Sequence, residues 1–267
     1  MSPLLNIAEL SVAYSGLRAL DDVSMHVNEG AVVGLIGPNG AGKTTLIDAV
    51  TGFTNTVSGQ ISLRGERIDQ LPPHKRARRG LARTFQTAEL FDDLTVAENL
   101  RAAADRPSLA KLLVDAVRPG SSRDELLGWA LNLAGVPSLR DRSPRELSTG
   151  ERTLVGVARA IVTQPHMLLL DEPAAGLGTA ESTQLGQRLR SVADAGITVL
   201  LVDHDVSLIL NVCDWIYVLE FGAIIASGLP DEVRRDSRVI AAYLGSTAES
   251  ASTAIEPSLG LAADDQP

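Results

Sequence analysis

The chain has 267 residues, which is enough for one large or two modest domains with a substantial buried core. Aromatic residues make up only 3%, so the core is predicted to consist mainly of Leu, Val, Ile and Ala. The net charge of -9 argues against a general nucleic-acid-binding surface, because such surfaces depend on clustered Lys and Arg.

The single cysteine, Cys213, excludes an internal disulfide and indicates a reducing cytoplasm. Its apolar neighbours predict a small core residue rather than a nucleophile. The first residues do not resemble a secretory signal, and no apolar run approaches the roughly 18 residues of a membrane span. If the protein works at a membrane, we therefore expect another protein to hold it there.

The first third of the chain alternates strand and turn patterns. Apolar runs predict strands at residues 4–11, 23–27 and 31–36, and the last of these leads through a glycine-rich turn into a helix at 46–50. Residues 59–63 and 66–68 predict a hairpin, and 81–85 predict another strand. A short helix at 72–80 carries His74, Lys75, Arg76, Arg78 and Arg79, and we interpret it as a solvated face rather than a lipid or nucleic-acid patch.

Helical patterns follow at residues 95–134, with an irregular stretch at 106–122, and again at 151–162. Strand patterns return at 167–170 and 198–202, with a helix between them. Strands that alternate with helices predict an α/β fold with a parallel sheet covered by helices on both faces. Residues 87–155 lack strand patterns and predict a helical subdomain attached to that sheet.

The last part of the chain has a different pattern. Residues 215–219 and 223–227 predict a second hairpin, and residues 230–244 predict two short helices. The stretch 246–267 contains four acidic residues and no Lys or Arg among mostly small polar residues. We expect this acidic tail to be disordered.

A phosphate-binding loop is predicted between the strand at 31–36 and the helix after it. Glycines let the backbone approach a triphosphate and point N–H groups at its oxygens, and the helix adds its positive dipole end. Lys43 would bridge the β- and γ-phosphates, and the Thr44 hydroxyl would ligate Mg²⁺. The alternative is a glycine-rich turn followed by a chance Lys-Thr pair. The predicted nucleotide-binding residues are Gly37, Pro38, Asn39, Gly40, Ala41, Gly42, Lys43, Thr44 and Thr45.

Two acidic residues follow the strand predicted at 167–170. Asp171 lies at the carboxyl end of that strand, beside the phosphate site of a parallel sheet, where it can hold Mg²⁺ through water. Glu172 is one residue nearer the solvent and can polarise a water for attack on the γ-phosphorus. A pair of ordinary solvated acids is the alternative, and the phosphate loop in the same chain favours catalysis.

Residues 147–151 predict a second anion site. Ser148 and Glu151 form a capping-box pattern, which by itself explains both residues structurally. The same geometry offers a phosphate the Ser148 hydroxyl, the Gly150 N–H and the dipole of the following helix. Two phosphate-binding surfaces in one chain make sense if they belong to opposite halves of a dimer.

Three further candidates lie at strand ends or turns. His204, after the strand at 198–202, can donate to the γ-phosphate and sense its presence. Gln86 ends another strand and is suited to touching Mg²⁺ or the attacking water. Tyr14 offers an aromatic face that can stack on adenine. Each of these residues could instead have a purely structural role. A role in nucleotide binding or hydrolysis is favoured because the strand ends converge at one edge of the sheet.

Together these motifs resemble the ATP-binding subunit of an ABC transporter, over residues 4–245. The resemblance identifies residues 37–45 as Walker A, 167–172 as Walker B and 147–151 as the family signature. It makes Gln86 the Q-loop residue, His204 the switch histidine and Tyr14 the adenine-stacking aromatic. It implies a RecA-like P-loop NTPase core with an antiparallel β-subdomain and a helical subdomain, one ATPase domain over residues 1–245, and ATP and Mg²⁺ as cofactors.

A narrower resemblance is to the ATPases of branched-chain amino acid importers, and their relatives serve urea uptake and lipopolysaccharide export. It is carried by residues 51–53, 82–86, 173–177, 203–205 and 242–245. It implies two membrane-spanning permease subunits, a second ATPase cassette from the same or a different chain in a head-to-tail dimer, and an extracytoplasmic substrate-binding protein acting indirectly. The expected location is the cytoplasmic face of the membrane, peripherally, with no nucleic-acid partner.

The implied activity is hydrolysis of ATP to ADP and phosphate, with Glu172 as the base, to power uptake of a small polar solute. Branched-chain amino acids are the favoured solute. The alternatives are a urea importer, a lipid or lipopolysaccharide exporter, and a soluble ABC ATPase acting on ribosomes or DNA. A cassette that binds ATP without turnover is disfavoured by the presence of Lys43, Asp171, Glu172 and His204.

Three positions depart from the family pattern. Thr149 replaces the first of two signature glycines, and Glu151 replaces the usual Gln. Gly178 stands where the family usually has an Asp or Asn that touches the partner subunit. We expect function to survive the first two changes, while Gly178 bears on coupling between the two ATP sites.

Overall fold

The computed structural model describes residues 3–84, 90–104 and 121–246, with the side chains of residues 121–123 and 244–246 excepted. Gln86, most of the irregular stretch predicted at 106–122 and nearly all of the predicted tail at 246–267 lie outside these ranges. The predictions for those parts of the chain therefore stay predictions.

The described strands form two sheets, and the predicted parallel sheet and both predicted hairpins are confirmed. One sheet is antiparallel, in the order β2-β1-β4-β5. The other has the order β10-β9-β3-β8-β7-β6 and is parallel except for the β9–β10 pair. The strands are β1 Leu5–Tyr14, β2 Leu17–Val27, β3 Val32–Ile36, β4 Ser58–Leu63, β5 Glu66–Arg67, β6 Leu81–Thr84, β7 Met167–Asp171, β8 Thr198–Val202, β9 Trp215–Glu220 and β10 Ala223–Gly228.

The described helices follow the predicted order, with one addition. The helix after β8 was missed, because its seven residues are too few to show a periodic pattern. The α-helices are α1 Lys43–Thr51, α2 Pro73–Arg78, α3 Val96–Ala104, α4 Ser121–Ala134, α5 Thr149–Ile161, α6 Thr179–Asp194, α7 Val206–Val212, α8 Pro230–Arg235 and α9 Ser237–Ser246, with 3₁₀ helices at Pro137–Leu139 and Pro144–Glu146.

The parallel sheet is buried on both faces, which explains why its strands are continuous apolar runs. Every residue of β3, β7 and β8 is buried. Alternate residues point to opposite faces, so the strands divide between two hydrophobic clusters. Val32 and Ile36 join the cluster that contains residues of α3 to α7, whereas Val33 and Leu35 join the one that contains residues of α1 and the antiparallel sheet.

Between β6 and β7 the described residues form helices and turns, in agreement with the helical pattern of the sequence. Helix α4 buries Leu127, Ala130 and Leu131. These residues belong to the same cluster as the face of the parallel sheet that packs against α3 to α7. The helices are thus anchored on the sheet that carries the strand ends of the predicted site.

The basic helix α2 corrects one expectation. His74, Lys75, Arg78 and Arg79 are exposed as predicted, but Arg76 is buried, with 3% of its surface exposed. Its guanidinium donates to the carbonyls of Ala49 and Val50 at 2.6 and 2.8 Å, and further hydrogen bonds reach the carbonyls of Leu71 and Asp69. Arg76 therefore satisfies carbonyl groups at the carboxyl end of α1, which the helix itself leaves without partners.

Candidate functional site

The predicted phosphate loop lies between the end of β3 and the start of α1. Gly37 has φ 155° and Gly42 has φ 107°, a region that glycine favours. A Cβ on Gly37 would lie 2.0 Å from the carbonyl oxygen of Leu219, and one on Gly42 would lie 2.7 Å from that of Ala19. Both positions therefore require glycine, because a side chain would collide with backbone.

Strands β9 and β10 support this loop from beside β3. Strand β9 pairs with β3 in parallel register, with Ile36 opposite Val218. The turn between β9 and β10 contacts the loop directly, since the Gly222 N–H donates to the Ala41 carbonyl at 2.9 Å. The loop is thus held by residues that are distant in sequence.

Lys43 is folded back onto the loop. Its Nζ donates to the carbonyl oxygens of Gly37 at 2.7 Å and Pro38 at 3.0 Å, and only 6% of the residue is exposed. Burial lowers the pKa of Lys43, and the nearby carboxylates of Glu172 and Asp171 oppose that change. A cation surrounded by carbonyls and carboxylates at the mouth of a glycine loop can exchange these contacts for anionic oxygens.

The other predicted loop residues lie at the surface or near it. Asn39, Gly40 and Thr44 are exposed, while Pro38 and Thr45 are half-buried. The Thr44 hydroxyl lies in the first turn of α1, where the helix N-terminus favours negative charge. The loop therefore offers a ligand backbone groups, the Thr44 hydroxyl and the Lys43 amine.

Asp171 and Glu172 lie where β7 ends, as predicted. Asp171 pairs with Val202 of β8 in the sheet, and its side chain is buried. Glu172 is half-buried and has φ 48°, and its N–H donates to the Val202 carbonyl at 2.7 Å. A positive φ at a non-glycine residue is strained, so the carbonyl contact helps to hold Glu172 in the turn at the strand end.

Arg83 is a site residue that the sequence analysis missed. It extends from β6, and its guanidinium contacts Asp171 Oδ2 at 3.0 Å and Asp48 Oδ1 at 2.5 Å. Burial raises the pKa of Asp171, and the charge of Arg83 opposes that change. The available signal was an arginine within a four-residue strand of a sheet whose neighbouring strand, β7, is fully buried. Such a residue needs a buried anion.

His204 follows β8 and is exposed, with Nδ1 3.5 Å from Asp203 Oδ1. Asp203 is fully buried and was also missed. It accepts hydrogen bonds from the N–H groups of Ala174 and Asp205, both at 2.9 Å, and burial raises its pKa. Asp203 therefore ties the turn after β7 to the turn that carries His204.

Ser148 caps α5 as predicted, and the capping box with Glu151 is confirmed. The Glu151 N–H donates to Ser148 Oγ at 3.2 Å, and the Ser148 N–H donates to Glu151 Oε2 at 2.9 Å. A Cβ on Gly150 would lie 2.7 Å from Oε1 of Glu181, whose Oε2 accepts from the Gly178 N–H at 3.1 Å. Glu181 thus joins the turn at Gly178 to the start of α5.

The structure brings only some of the candidates together. The phosphate loop, Asp171, Glu172 and His204 all lie at the carboxyl ends of neighbouring parallel strands. Within the described residues, no hydrogen bond or ion pair joins the Ser148 turn to the phosphate loop. Tyr14 lies at the end of β1, half exposed, and its hydroxyl shares a hydrogen bond with Thr54 Oγ1 at 3.0 Å. Gln86 is outside the described residues.

These residues fit a magnesium ion that arrives with a nucleotide. In the described ranges, no three His, Cys, Asp or Glu side chains form a metal-binding group. Magnesium needs few protein ligands when phosphate oxygens and water complete its shell. One carboxylate, Asp171, and one hydroxyl, Thr44, at the two sides of a phosphate loop are the donors such an ion uses.

A glycine loop between a strand and a helix, with acids at the next strand ends, defines a nucleotide-binding protein of the P-loop class. Comparison with known families makes this specific: residues 20–175 match the family described as "ABC transporter". Residues 223–249 match the family described as "Branched-chain amino acid ATP-binding cassette transporter". The chain belongs to the ABC transporter family, as an ATP-binding and ATP-hydrolysing subunit.

Similar proteins cover almost the whole chain. The high-affinity branched-chain amino acid transport ATP-binding protein BraF of Pseudomonas aeruginosa is 38% identical, over 91% of this chain and 98% of its own. The lipopolysaccharide export system ATP-binding protein LptB of Escherichia coli strain K12 is 37% identical, over 90% and 97%. The ADP conformation of MJ1267, an ATP-binding cassette of an ABC transporter, is 32% identical with a TM-score of 0.81, over 92% and 100%.

No described helix is both long enough and apolar enough to cross a membrane.

Proposed function

We propose that this chain powers the uptake of branched-chain amino acids as the ATPase of an importer. The match of residues 223–249 to the branched-chain family carries this proposal, because that region lies outside the part shared with ABC transporters in general. The likeness to BraF along nearly the whole chain supports it. The ATPase activity itself belongs to the family as a whole.

The nucleotide would bind in the loop at 37–45. Lys43 would release the Gly37 and Pro38 carbonyls and bond to the β- and γ-phosphates, and loop N–H groups would donate to the same oxygens. Tyr14 would stack on the adenine. Thr44 and Asp171, with Gln86, would hold Mg²⁺, which supplies neutralisation of phosphate charge when it is bound.

Glu172 would accept the proton of the attacking water as general base. This role is supported by the position of Glu172 directly after β7, at the sheet edge of the phosphate loop, and by the action of its charge on Lys43. His204 would donate to the γ-phosphate. Its Nδ1 lies 3.5 Å from Asp203 Oδ1, and the imidazole is exposed, so a ligand can reach it.

The Ser148 turn would complete the site of a second cassette. Ser148 and Thr149, at the start of α5, are exposed, whereas Gly150 is buried. Within the described residues, no hydrogen bond joins this turn to the phosphate loop of its own chain. An anion site that is separate from the phosphate loop of its own chain suits a head-to-tail dimer with the same or a different chain. Gly178 lies beside this turn, so we propose that it contacts the partner through backbone alone.

The helical region at about 87–155 would form the subdomain that two membrane-spanning permease subunits contact. Closure of the cassette dimer would pull on these subunits, and hydrolysis would reset it. The protein would then lie peripherally on the cytoplasmic face of the membrane, and an extracytoplasmic binding protein would select the solute. We include no nucleic-acid partner, since the chain carries a net charge of -9.

An export function is the second candidate, because LptB is 37% identical over 90% of this chain. Importers and exporters share the catalytic motifs and differ in their partners. The test is therefore a pull-down of the Glu172→Gln form with Mg-ATP from detergent-solubilised membranes. This variant should remain in the closed dimer and retain weakly bound partners, and the Lys43→Ala form is the matched control that should not close.

Recovery of two polytopic permeases and a second cassette supports the proposal, and a transport assay with radiolabelled leucine then tests the solute. If lipid-export membrane proteins are recovered instead, the proposed import function is wrong and the export function takes its place. Soluble ribosomal or DNA-associated proteins alone would contradict any role in transport and leave the ATPase assignment in place.

A further inference from the structure

Arg83 joins three parts of the nucleotide site. Its guanidinium reaches Asp171 at the end of β7 and Asp48 on α1. Asp48 is four residues after Thr44 and shares its face of the helix. Strand β6, which carries Arg83, leads within three residues to Gln86. One side chain thus links the strand that bears Asp171 to the helix that bears Thr44.

The geometry fixes the guanidinium from several sides. Nη2 lies 3.0 Å from Asp171 Oδ2, and Nη1 lies 2.5 Å from Asp48 Oδ1. Cζ is 5.9 Å from the centroid of the Phe53 ring, within reach of a cation–π contact. The side chain is only 10% exposed. A planar fork of donors can bridge two carboxylates in this way, whereas the point charge of lysine cannot.

We propose that Arg83 is a positioning residue for magnesium, which fixes Asp171 through Oδ2 and ties it to α1 through Asp48, so that Mg²⁺-dependent nucleotide binding relies on it. The second oxygen of Asp171, Oδ1, is the one we assign to a magnesium-bound water. Arg83 itself touches neither metal nor nucleotide. The inference rests on the proposed roles of Asp171 and Thr44.

Removal of the guanidinium has a direct physical consequence. Asp171 and Asp48 would lose the cation that lies between them, and the buried Asp171 carboxylate would no longer be held in one direction. Partners that orient a metal ligand typically change metal affinity or activity by roughly 10–100-fold when they are lost. The effect should therefore appear in the magnesium dependence of binding and not in metal-free binding.

The experiment compares binding of a fluorescent ADP analogue to the full chain in Mg²⁺ and in EDTA. The ratio of the two Kd values measures how much magnesium strengthens binding. For Arg83→Gln we expect an unchanged Kd in EDTA and a ratio that falls roughly 10–100-fold. Arg83→Lys should recover part of the ratio, because it restores the charge but contacts one carboxylate. The matched control is Arg79→Gln, which removes an exposed arginine paired with Glu66 and should leave the ratio unchanged.

A second variant protects the test against a folding failure. Asp48→Asn keeps the size of the side chain and removes the negative charge of one of the two anchors of Arg83. We expect it to shift the ratio in the same direction and by less than Arg83→Gln. Thermal unfolding of each variant shows whether it folds. If Arg83→Gln does not fold, the ratio measured for Asp48→Asn alone tests the inference.

Two outcomes overturn the inference. A folded variant with an unchanged ratio would make the ion pair purely structural. A ratio that rises would mean that Arg83 competes with magnesium for Asp171. If the unsubstituted chain bound no ADP in either buffer, the proposed function itself would fail. That result differs from the failure of the inference alone, in which the unsubstituted chain binds ADP and the substitutions leave the effect of magnesium unchanged.

Discussion

The two predicted phosphate-binding surfaces of this chain differ in how complete each is by itself. At the phosphate loop, Lys43 is buried and bonded to the carbonyls of Gly37 and Pro38. At the signature turn, Ser148 is exposed, and its capping box with Glu151 is already formed. The first surface must exchange internal contacts for a ligand, whereas the second is a helix terminus whose capping box is already complete.

This difference indicates that nucleotide binding and turnover depend differently on the two surfaces. Nucleotide affinity in the isolated chain should depend on the loop, since within the described ranges a cation, glycine backbone and strand-end acids meet only there. Turnover should depend on both surfaces, because the signature turn is proposed to act on a nucleotide held by the partner. The following substitutions separate the two dependences.

The largest effect is expected for Glu172→Gln. Removal of a general base typically lowers the rate by roughly 10²–10⁴-fold. Gln keeps the size of the side chain, so ATP binding should persist. Steady-state phosphate release and equilibrium ATP binding measure the two quantities. Unchanged turnover would remove Glu172 from the base role.

Lys43→Ala should weaken nucleotide binding by the isolated chain about 100-fold, the value of about two charge-assisted hydrogen bonds. The loop carbonyls that Lys43 now satisfies would be left to water. Titration with a fluorescent nucleotide gives the affinity. If binding stays at the level of the unsubstituted chain, the loop is not the nucleotide site. Lys75→Ala, on the exposed face of α2, is the control and should bind normally.

Ser148→Ala should leave nucleotide binding by the single chain intact and lower turnover about tenfold, the worth of one hydrogen bond to a charged phosphate. It also removes a helix cap, which costs about 1 kcal/mol of stability. Thr95→Ala separates the two effects, because Thr95 and Glu98 form the same capping pattern at α3. A Ser148 variant that behaves like the Thr95 variant in turnover would reduce its role to capping.

Arg76→Gln tests the support of the loop helix rather than its chemistry. Four carbonyls would lose a buried charged donor, so the free energy of unfolding should fall by about 3 kcal/mol. Urea denaturation measures the change. Arg78→Gln on the same helix is exposed and should change stability by less than about 0.5 kcal/mol. Equal effects of the two substitutions would contradict the capping role.

The smallest effect concerns Cys213. Burial raises the pKa of its thiol to about 12, so the reactive thiolate is scarce at neutral pH. Thiol titration of the folded chain should proceed very slowly, become fast in denaturant, and leave ATPase activity unchanged. Rapid labelling of the native protein would show that the region around α7 opens.

Much of this architecture follows from local sequence. The buried strands were predictable because each is a continuous apolar run, and the Ser148 cap was predictable because its two partners are three residues apart. Cys213 also lies in the core, as its neighbours indicated. The roles of Gln86, His204 and Tyr14 were inferred from their places at strand ends and turns, and the family resemblance agrees with them. These roles stay predictions.

The missed features depend on contacts between distant segments. Arg83 finds its carboxylates 35 residues earlier and 88 residues later in the chain, and Arg76 bonds to carbonyls 26 and 27 residues away. A local pattern shows that Arg83 is a charge within a strand and Arg76 a charge on a helix, but it does not identify their partners. The first half of β2 was missed for a related reason, since its polar side chains are mostly exposed and only pairing with β1 makes it a strand.

The support of the phosphate loop by β9 and β10 has a consequence for the newly made protein. Leu219 and Gly222 contact the loop, yet they are synthesised about 180 residues after it. Both strand neighbours of β3, which are β8 and β9, also come from the last third of the chain. A nascent chain on the ribosome therefore carries the whole glycine motif long before it can hold the motif in shape. Nucleotide binding should begin only once residue 222 has left the exit tunnel, which makes it a late event in the life of each new molecule.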